Sequence, residues 1–560
     1  MRVCKRFKSW AEYNICWCRA AAFASVLVFG YKVVRSSILT ILITYFTGYP
    51  NNYNLVKAAR FVNMLEALTA SLEIVVAYMS DALFSHFKIL TYSVLSTIAG
   101  LLLFFLNLSL WGNYDILYIA GILLLAVGEA GLRPLLHEFL VDQLSEHESE
   151  INTDDDGVED RAEERVENRV EDAADDRVKA RKRVWWIVAW VCSVVTTFII
   201  SNYSWEIIFL SSTSLLAGTF TLFLSGIPFY HSTKFIGAGS SLFNFFPVLK
   251  ASLLKCHLNY PSSPDLFFQN YGNKTHLSPR LKILRWLDKA AIIESSNNGP
   301  EQQERAGRLC TVTQVEESKF LLKMIPMWST FLVIGLAAST GDTFSSEQGR
   351  HLDSTDFTFY MVIFVKPISQ ATSSFLFKKF LTSKKGASNS QLKLGKIVRI
   401  WFGMVLCAIF CAVAWRVEVH RLQIVDRKRN NPNEEISSMS IFWLVPQYCL
   451  LGLMEGSGTD GLEEFMIDEL PKSLKIYASA MNGFVINGIG NFLGILYVNA
   501  NRQLFSATLS KSRLDKYYLR LLILSLLNIC YYCPISTIYR PIHDTQADMV
   551  ERDITINHEV

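Results

Sequence analysis

The stretch ILTYSVLSTIAGLLLFFLNLSLW, residues 89–111, decides the fold of this chain, because none of its side chains carries a formal charge. A helix needs about 20 mostly apolar residues to cross the hydrocarbon layer of a bilayer, and this run is long enough. Residues 117–132 (LYIAGILLLAVGEAGL) and 517–535 (YYLRLLILSLLNICYYCPI) meet or approach the same requirement. The chain is therefore predicted to cross a membrane.

Working outward, about twelve such stretches fall into two sets of six, separated by a polar segment of roughly ninety residues. Two six-span halves joined by a long loop are the layout of the major facilitator transporters, whose substrate site lies between the halves at mid-membrane. The predicted fold class is an all-α integral membrane protein with twelve transmembrane helices in two six-helix bundles. The predicted spans are residues 21–47, 55–80, 88–111, 115–139, 184–201, 205–229, 319–341, 356–378, 396–416, 438–462, 475–499 and 516–538.

Orientation follows from Lys and Arg, which collect on the cytoplasmic side of membrane proteins. Basic residues precede the first span, so the N-terminus, the linker and the tail are expected in the cytoplasm. An Arg-rich loop after the ninth span argues against this scheme. The predicted segments are a cytoplasmic N-terminus 1–20, an N-terminal bundle 21–230, a cytoplasmic linker 231–318, a C-terminal bundle 319–540 and a cytoplasmic tail 541–560.

A charged insert at residues 140–183 interrupts the N-terminal bundle. It mixes many acids with Arg161, Arg165 and Arg169, and the four-residue spacing places these arginines on one helical face. A solvated helix or linker is the first interpretation, and a docking or phospho-regulated element is the alternative.

Composition narrows the classes of function. Hydrophobic residues make up 51% of the chain, and the formal net charge of +3 excludes a strongly basic nucleic-acid binder. Cys530 and Cys533 form a C-x-x-C motif inside an apolar run, and we interpret them as buried thiols. No cofactor and no metal are expected, apart from protons if they are co-transported. The expected partners are a small-molecule substrate and the bilayer, with the protein acting as a monomer.

Three quoted stretches carry a specific resemblance. They are LRWLDKAAIIES at 284–295, RLCTVTQVEESKFLLKMIPMWST at 308–330 and MSIFWLVPQYCLLGLMEG at 439–456. The chain resembles the plant nitrate/peptide transporter family, the plant branch of the proton-dependent oligopeptide transporters within the major facilitator superfamily. The resemblance implies two six-helix bundles that rock to give alternating access to a solute.

Departures from the family concern proton coupling. Proton-coupled members carry E-x-x-E-R in the first span, where this chain has VFGYK, so Val28 and Tyr31 replace the two glutamates and Lys32 replaces the arginine. Valine and tyrosine cannot act as the carboxylates of that motif. Two alternatives stay open: coupling has moved to another acid, or the protein is a facilitator driven by its substrate's gradient.

Ionisable groups within spans are functional candidates, because burying them is costly. Arg133 stands where the family has a lysine linked to substrate or coupling, and Glu455 matches the glutamate that holds a substrate amine in peptide-carrying relatives. The resemblance therefore predicts that both face a central cavity and grip a substrate of opposite charges. The alternatives without a role in substrate binding are an ion pair of Arg133 with Glu129 and a structural ion pair of Glu455.

Other charged residues are candidate coupling or cavity charges. Besides Lys32, they are Glu66 and Glu73, which share a helical face, and Asp342 and Glu464. Glu66, Glu73 and Glu455 are the candidate partners of Lys32.

The expected function is secondary transport of a peptide-like solute, an amine- or carboxylate-bearing metabolite, or nitrate, and no enzyme motif is found. Ala338 stands where a nitrate-binding relative has histidine, which disfavours nitrate by that route. The alternative is a receptor-like or regulatory membrane protein that has lost transport. The expected location is the plasma or the vacuolar membrane.

Overall fold

The structure is a computed structural model of the chain. It describes residues 18–48, 51–111, 114–155, 164–231, 245–260, 266–269, 282–294, 299–382, 388–430, 439–506 and 509–540. The predicted tail 541–560, most of the N-terminus 1–20 and the middle of the charged insert lie outside the described residues.

The described residues are almost entirely helical. The α-helices are α1 (Arg19–Ser37), α2 (Leu42–Thr47), α3 (Leu55–Ala82), α4 (His86–Leu106), α5 (Asp115–Asp155), α6 (Glu164–Ile200), α7 (Trp205–Ser225), α8 (Phe245–Leu254), α9 (Pro300–Arg305), α10 (Val312–Arg350), α11 (Asp356–Thr382), α12 (Asn389–Asn430), α13 (Val445–Met454), α14 (Asp460–Glu469), α15 (Ala478–Gly483), α16 (Gly490–Ala500) and α17 (Leu514–Ile538).

Within the described residues, helical segments lie at all the predicted spans, and ten of these segments are long and apolar enough to cross a membrane. The eighth predicted span, α11, is not among these ten: it is 27 residues long but contains charged residues such as Lys366. The tenth consists of α13, a π-helical turn at Glu455–Thr459, and α14. A second π-helical turn, Phe484–Ile489, lies between α15 and α16.

Two helices begin with caps that the sequence explains. The Cys18 sulfur accepts a hydrogen bond from the Ala21 amide at the start of α1, at 3.5 Å. The Asn54 side chain accepts one from the Lys57 amide at 2.8 Å and caps α3. Such caps satisfy amide groups that have no partner within the helix.

The chain forms two compact units. The first unit contains residues 1–239, 342–361 and 487–512. Its core includes an aromatic cluster around Tyr45, whose hydroxyl lies 2.8 Å from that of Tyr118 and whose ring contacts Phe209. Helices α4 and α5 pack closely because Gly128 faces Thr97, where a Cβ atom would lie 2.0 Å from the threonine hydroxyl.

The second unit contains residues 240–341, 362–486 and 513–560. In its core, the Asn528 side chain of α17 donates to the backbone oxygen of Thr330 at 2.8 Å. Gly403 of α12 faces the π-helical turn of the tenth span, and a Cβ atom there would lie 2.5 Å from the Cα of Gly458. This close backbone approach fixes α12 against the turn.

Part of the predicted linker folds onto the start of α10. Apolar residues of α8 and of the 3₁₀ helix Lys282–Ala291 share one buried cluster with Val312 and Val315. Within it, Lys319 pairs with Asp288, and both side chains are buried. Burial raises the pKa of Asp288 above its usual range, while the Lys319 ammonium opposes this rise. The polar linker therefore contains a packed segment.

The charged insert is helical where it is described. Helix α5 continues to Asp155 and α6 begins at Glu164, so both extend well past the predicted spans. The solvated-helix interpretation and the docking alternative both stay open.

Candidate functional site

The first unit brings three acids and two arginines together at the predicted site. Glu66 lies in α3 and Glu129 and Arg133 lie in α5, while Arg35 comes from α1. One terminal nitrogen of Arg133 (Nη2) is 2.9 Å from Glu66 Oε2 and 3.6 Å from Glu129 Oε2. The other (Nη1) is 3.4 Å from Glu73 Oε1, and Arg35 Nη1 is 2.8 Å from Glu129 Oε2.

Glu66 and Glu73 share one face of α3, as their spacing predicted, and both point at Arg133. Arg133 also contacts Glu129 one helical turn away. Each of these three carboxylates therefore has an arginine within 4 Å. Buried charges are stable only when they are paired in this way.

Lys32 has a different environment. Its ammonium lies 4.9 Å from the centre of the Trp186 ring in α6 and 5.8 Å from that of Tyr31, which is a cation–π arrangement. Within the described part of the chain, Lys32 forms no ion pair. Its candidate partners Glu66 and Glu73 are paired with Arg133 instead. The Tyr31 hydroxyl donates to Glu129 at 3.1 Å.

Counting formal charges, Lys32, Arg35 and Arg133 balance Glu66, Glu73 and Glu129. We call these six residues the first charge cluster. Its charges sum to zero when all six are ionised. A solute with a net charge would disturb this balance.

The second unit holds two further predicted site residues, Glu455 and Glu464. Glu455 opens the π-helical turn, and its Oε1 atom lies 2.9 Å from Lys366 Nζ of α11. Glu464 of α14 pairs with Arg399 of α12, at 2.7 Å between Oε2 and Nη1. Glu455 and Glu464 are thus both paired within this unit.

Two charged residues of this unit were missed by the sequence reasoning. Lys366 stands before Pro367 in an otherwise apolar run, and Arg399 lies in the ninth predicted span. A search for every ionisable residue within a span, applied to cations as well as acids, would have found both.

Two further predictions concern the roles of Arg133, Glu455 and Asp342. Arg133 lies in the first unit and Glu455 in the second, and their joint grip on a substrate stays a prediction. The side chain of Asp342 is exposed on α10, and its role as a cavity charge also stays a prediction.

Comparison with known proteins identifies relatives along nearly the whole chain. Protein NRT1/ PTR FAMILY 5.6 from Arabidopsis thaliana is 26% identical over 93% of this chain and 92% of its own length. Protein NRT1/ PTR FAMILY 5.4 from the same plant is 24% identical over 95% of this chain and 96% of its own length. The chain is thus similar to a plant transporter family, as the quoted motifs indicated.

Solved structures show the same fold. The POT family transporter PepTSo superposes with a TM-score of 0.61 at 13% identity, covering 94% of this chain and 99% of that protein. A POT family transporter in complex with 5-aminolevulinic acid superposes with a TM-score of 0.58 at 11% identity, covering 93% of this chain and 97% of that protein. The fold is that of the major facilitator transporters, as predicted.

The comparisons also decide the class of function. Family and fold are those of membrane transporters and not of enzymes, and nothing supports the alternative of a receptor-like protein that has lost transport. The sequence model of the POT family (PTR2) matches residues 189–508, which is more than half of the 560 residues. The chain therefore belongs to the POT family and is a multi-pass secondary membrane transporter for a small-molecule substrate.

Proposed function

We propose that the protein carries a small organic solute bearing both a positive and a negative charge, and that it moves this solute down its own gradient without a coupled proton. The zwitterionic class is supported by the ion pairs themselves. The first charge cluster is balanced, and Glu455 is paired with Lys366. A solute without net charge leaves such groups balanced, whereas a lone ion leaves a buried charge without a counter-charge.

A solved relative supports the same class. One POT family transporter of this fold has been crystallised with 5-aminolevulinic acid, which bears an amine and a carboxylate. Nitrate fits less well, because Ala338 offers no imidazole donor where a nitrate-binding relative has histidine.

The facilitator mechanism rests on one observation: each acid of the first charge cluster has an arginine within 4 Å. Arginine stays protonated in proteins, so it keeps stabilising the ionised carboxylate. Protonating any one acid would remove a counter-charge and leave a net positive charge in a buried site. Val28 and Tyr31 provide no carboxylate at the two positions where proton-coupled relatives have glutamate.

Three finer properties belong to this proposal. The transporter works without a cofactor and as a monomer. Its membrane is the plasma or the vacuolar membrane, and a fluorescent fusion expressed in a plant cell distinguishes them.

Purified protein in liposomes tests the mechanism. Uptake of labelled 5-aminolevulinic acid and of the dipeptide alanyl-alanine is measured with and without an inward proton gradient. We expect uptake to stop at the external concentration in both conditions, as for a facilitator. Accumulation that needs the proton gradient and is lost in Glu66→Gln or Glu73→Gln would show that coupling has moved to α3.

A further inference from the structure

The ion pair of Lys366 and Glu455 differs from the other ion pairs of the tenth span in where it lies. It joins α11 to the first residue of the π-helical turn. Both side chains remain partly exposed, Lys366 by 19% and Glu455 by 15%, whereas in the neighbouring pair Arg399 is fully buried and Glu464 is 34% exposed. The pair is therefore partly accessible although it lies within a membrane-spanning region.

Close backbone packing holds the two helices that carry this pair. A Cβ atom on Gly452 would lie 2.2 Å from the backbone oxygen of Lys366, and one on Gly456 would lie 2.4 Å from that of Gln370. Two glycines four residues apart let two membrane helices approach at this distance. Lys366 and Glu455 consequently project from backbones that are fixed against each other.

The π-helical turn is itself anchored. The backbone oxygen of Gly456 accepts a hydrogen bond from Arg399 Nη2 at 2.7 Å and one from Ser374 Oγ at 3.1 Å. The positive charge of Arg399 is met by Glu464. Single π-helical turns inside α-helices occur frequently at functional sites. Here Glu455 is the first residue of such a turn.

We propose that Lys366 and Glu455 form one subsite for a zwitterion, in which Lys366 binds the substrate carboxylate and Glu455 binds its amine. This assignment rests on the proposed function and adds Lys366, which is absent from the residues that the family resemblance implied. Without substrate the two side chains neutralise each other at 2.9 Å. A zwitterion exchanges this one ion pair for two and leaves no charge unpaired.

The subsite determines specificity. A solute with an amine only would compete with Lys366 for Glu455 and offer no carboxylate to Lys366, and a solute with a carboxylate only would do the reverse. Both classes are disfavoured relative to the zwitterion. Because a hydrogen bond to a charged group contributes about 1.5–3 kcal/mol, loss of either arm should weaken zwitterion binding about 10- to 100-fold.

The test measures competition against uptake of labelled zwitterion, using whichever of 5-aminolevulinic acid and alanyl-alanine the wild type takes up. The competitors are the unlabelled zwitterion, its methyl ester, which keeps only the amine, and its N-acetyl derivative, which keeps only the carboxylate. Wild type should prefer the zwitterion. Lys366→Met should bind it about tenfold or more weakly and should accept the ester equally well or better, because Glu455 then has no lysine to compete with the amine.

Glu455→Gln should show the mirror image, with the N-acetyl derivative favoured. The double variant Lys366→Met with Glu455→Gln separates substrate binding from a structural ion pair, since it removes both charges together. We expect the double variant to reach the membrane and still fail to take up zwitterion. Asp468→Asn is the matched control. Asp468 lies in α14, which follows the π-helical turn of Glu455, and it pairs with Lys396 of α12, but its side chain is exposed. The competition pattern of this variant should equal that of wild type.

Two outcomes would contradict the inference. Wild-type ligand preference in Lys366→Met, or normal zwitterion uptake by the double variant, would show that the ion pair is structural while the proposed function stands. If the wild type took up neither zwitterion but carried a singly charged solute, the zwitterionic function itself would be wrong, and the subsite with it.

Discussion

Arg133 is the residue on which the first charge cluster depends. Its guanidinium contacts Glu66, Glu73 and Glu129, so its removal would leave these three acids, of which Glu73 and Glu129 are buried, with Arg35 as their remaining arginine. The planar guanidinium offers several donors at once, which a lysine ammonium cannot match in geometry. Arg133 therefore has a structural role in addition to any contact with substrate.

We predict that Arg133→Met lowers the stability of the protein strongly, because breaking a buried ion pair from one side costs about 3–5 kcal/mol. Thermal unfolding of the purified protein in detergent, followed by fluorescence-detected size-exclusion chromatography, measures this change. Adding Glu73→Gln to Arg133→Met should recover part of the loss, since one uncompensated acid is removed. Unchanged unfolding of Arg133→Met would show that the contacts contribute little.

At this scale the sequence predicted the individual residues better than their partners. The rule that buried charges are functional candidates selected Arg133, Glu66, Glu73 and Glu455. It could not tell that Lys32 lies on Trp186, because the two residues are far apart in the chain and only packing brings them together. Lys366 was not predicted, because it stands at no motif position of the family and the other candidates in its half of the chain are acids.

For the helices, too, the sequence predicted local features but not those that depend on tertiary packing. Apolar length predicted the spans, and the structure has a helix at each of them. The rule finds only the part of a helix that lies in the bilayer, so it did not show that α12 continues to Asn430. The π-helical turn at Glu455–Thr459 was also not predicted, since it depends on packing against α11 and α12.

The contact between α11 and α13 gives a prediction at the scale of elements. Gly452→Ala would place a methyl group 2.2 Å from a backbone oxygen of α11, so the helices must separate. Overpacking of this kind costs about 1–3 kcal/mol. We expect a lower unfolding temperature and reduced zwitterion uptake at equal surface expression, because the spacing of Lys366 and Glu455 changes.

Gly218 provides the matched control for this prediction. It lies within α7, and a Cβ atom there would meet nothing within 4 Å. Gly218→Ala should leave uptake unchanged and raise stability slightly, because alanine favours a helix over glycine by about 1 kcal/mol. Equal behaviour of both alanine variants would show that the close approach at Gly452 is not required.

On the scale of the whole molecule, the first unit joins segments that are distant in the sequence. Three side-chain hydrogen bonds attach the ends of α10 and α16 to helices near the N-terminus. Thr343 donates to Asn63 at 2.8 Å, and Thr47 donates to Glu347 at 2.7 Å. Arg60 donates to Asn499 at 3.1 Å. The predicted six-helix bundles stay a prediction, and sequence periodicity alone contains no signal for these long-range contacts.

Alternating access requires contacts between the two halves of the sequence to break and re-form during each cycle. The Asn63–Thr343 contact joins α3, from the first half of the sequence, to α10, from the second half, so it should open when the carrier changes state. We predict that Asn63→Cys with Thr343→Cys, joined by a short reducible thiol cross-linker, loses uptake and regains it on reduction. Each single cysteine variant should keep its activity after the same treatment.

The control for that experiment is a contact within one half of the sequence. Ser36 of α1 and Thr197 of α6 lie 2.6 Å apart between their hydroxyl oxygens, and both belong to the first six predicted spans. Cross-linking Ser36→Cys to Thr197→Cys should leave uptake unchanged, because helices of the same half move together in a rocking mechanism. If both cross-links abolished uptake, general rigidity rather than alternation would be the cause. If neither had an effect, the contact of α10 with α3 would persist throughout the transport cycle.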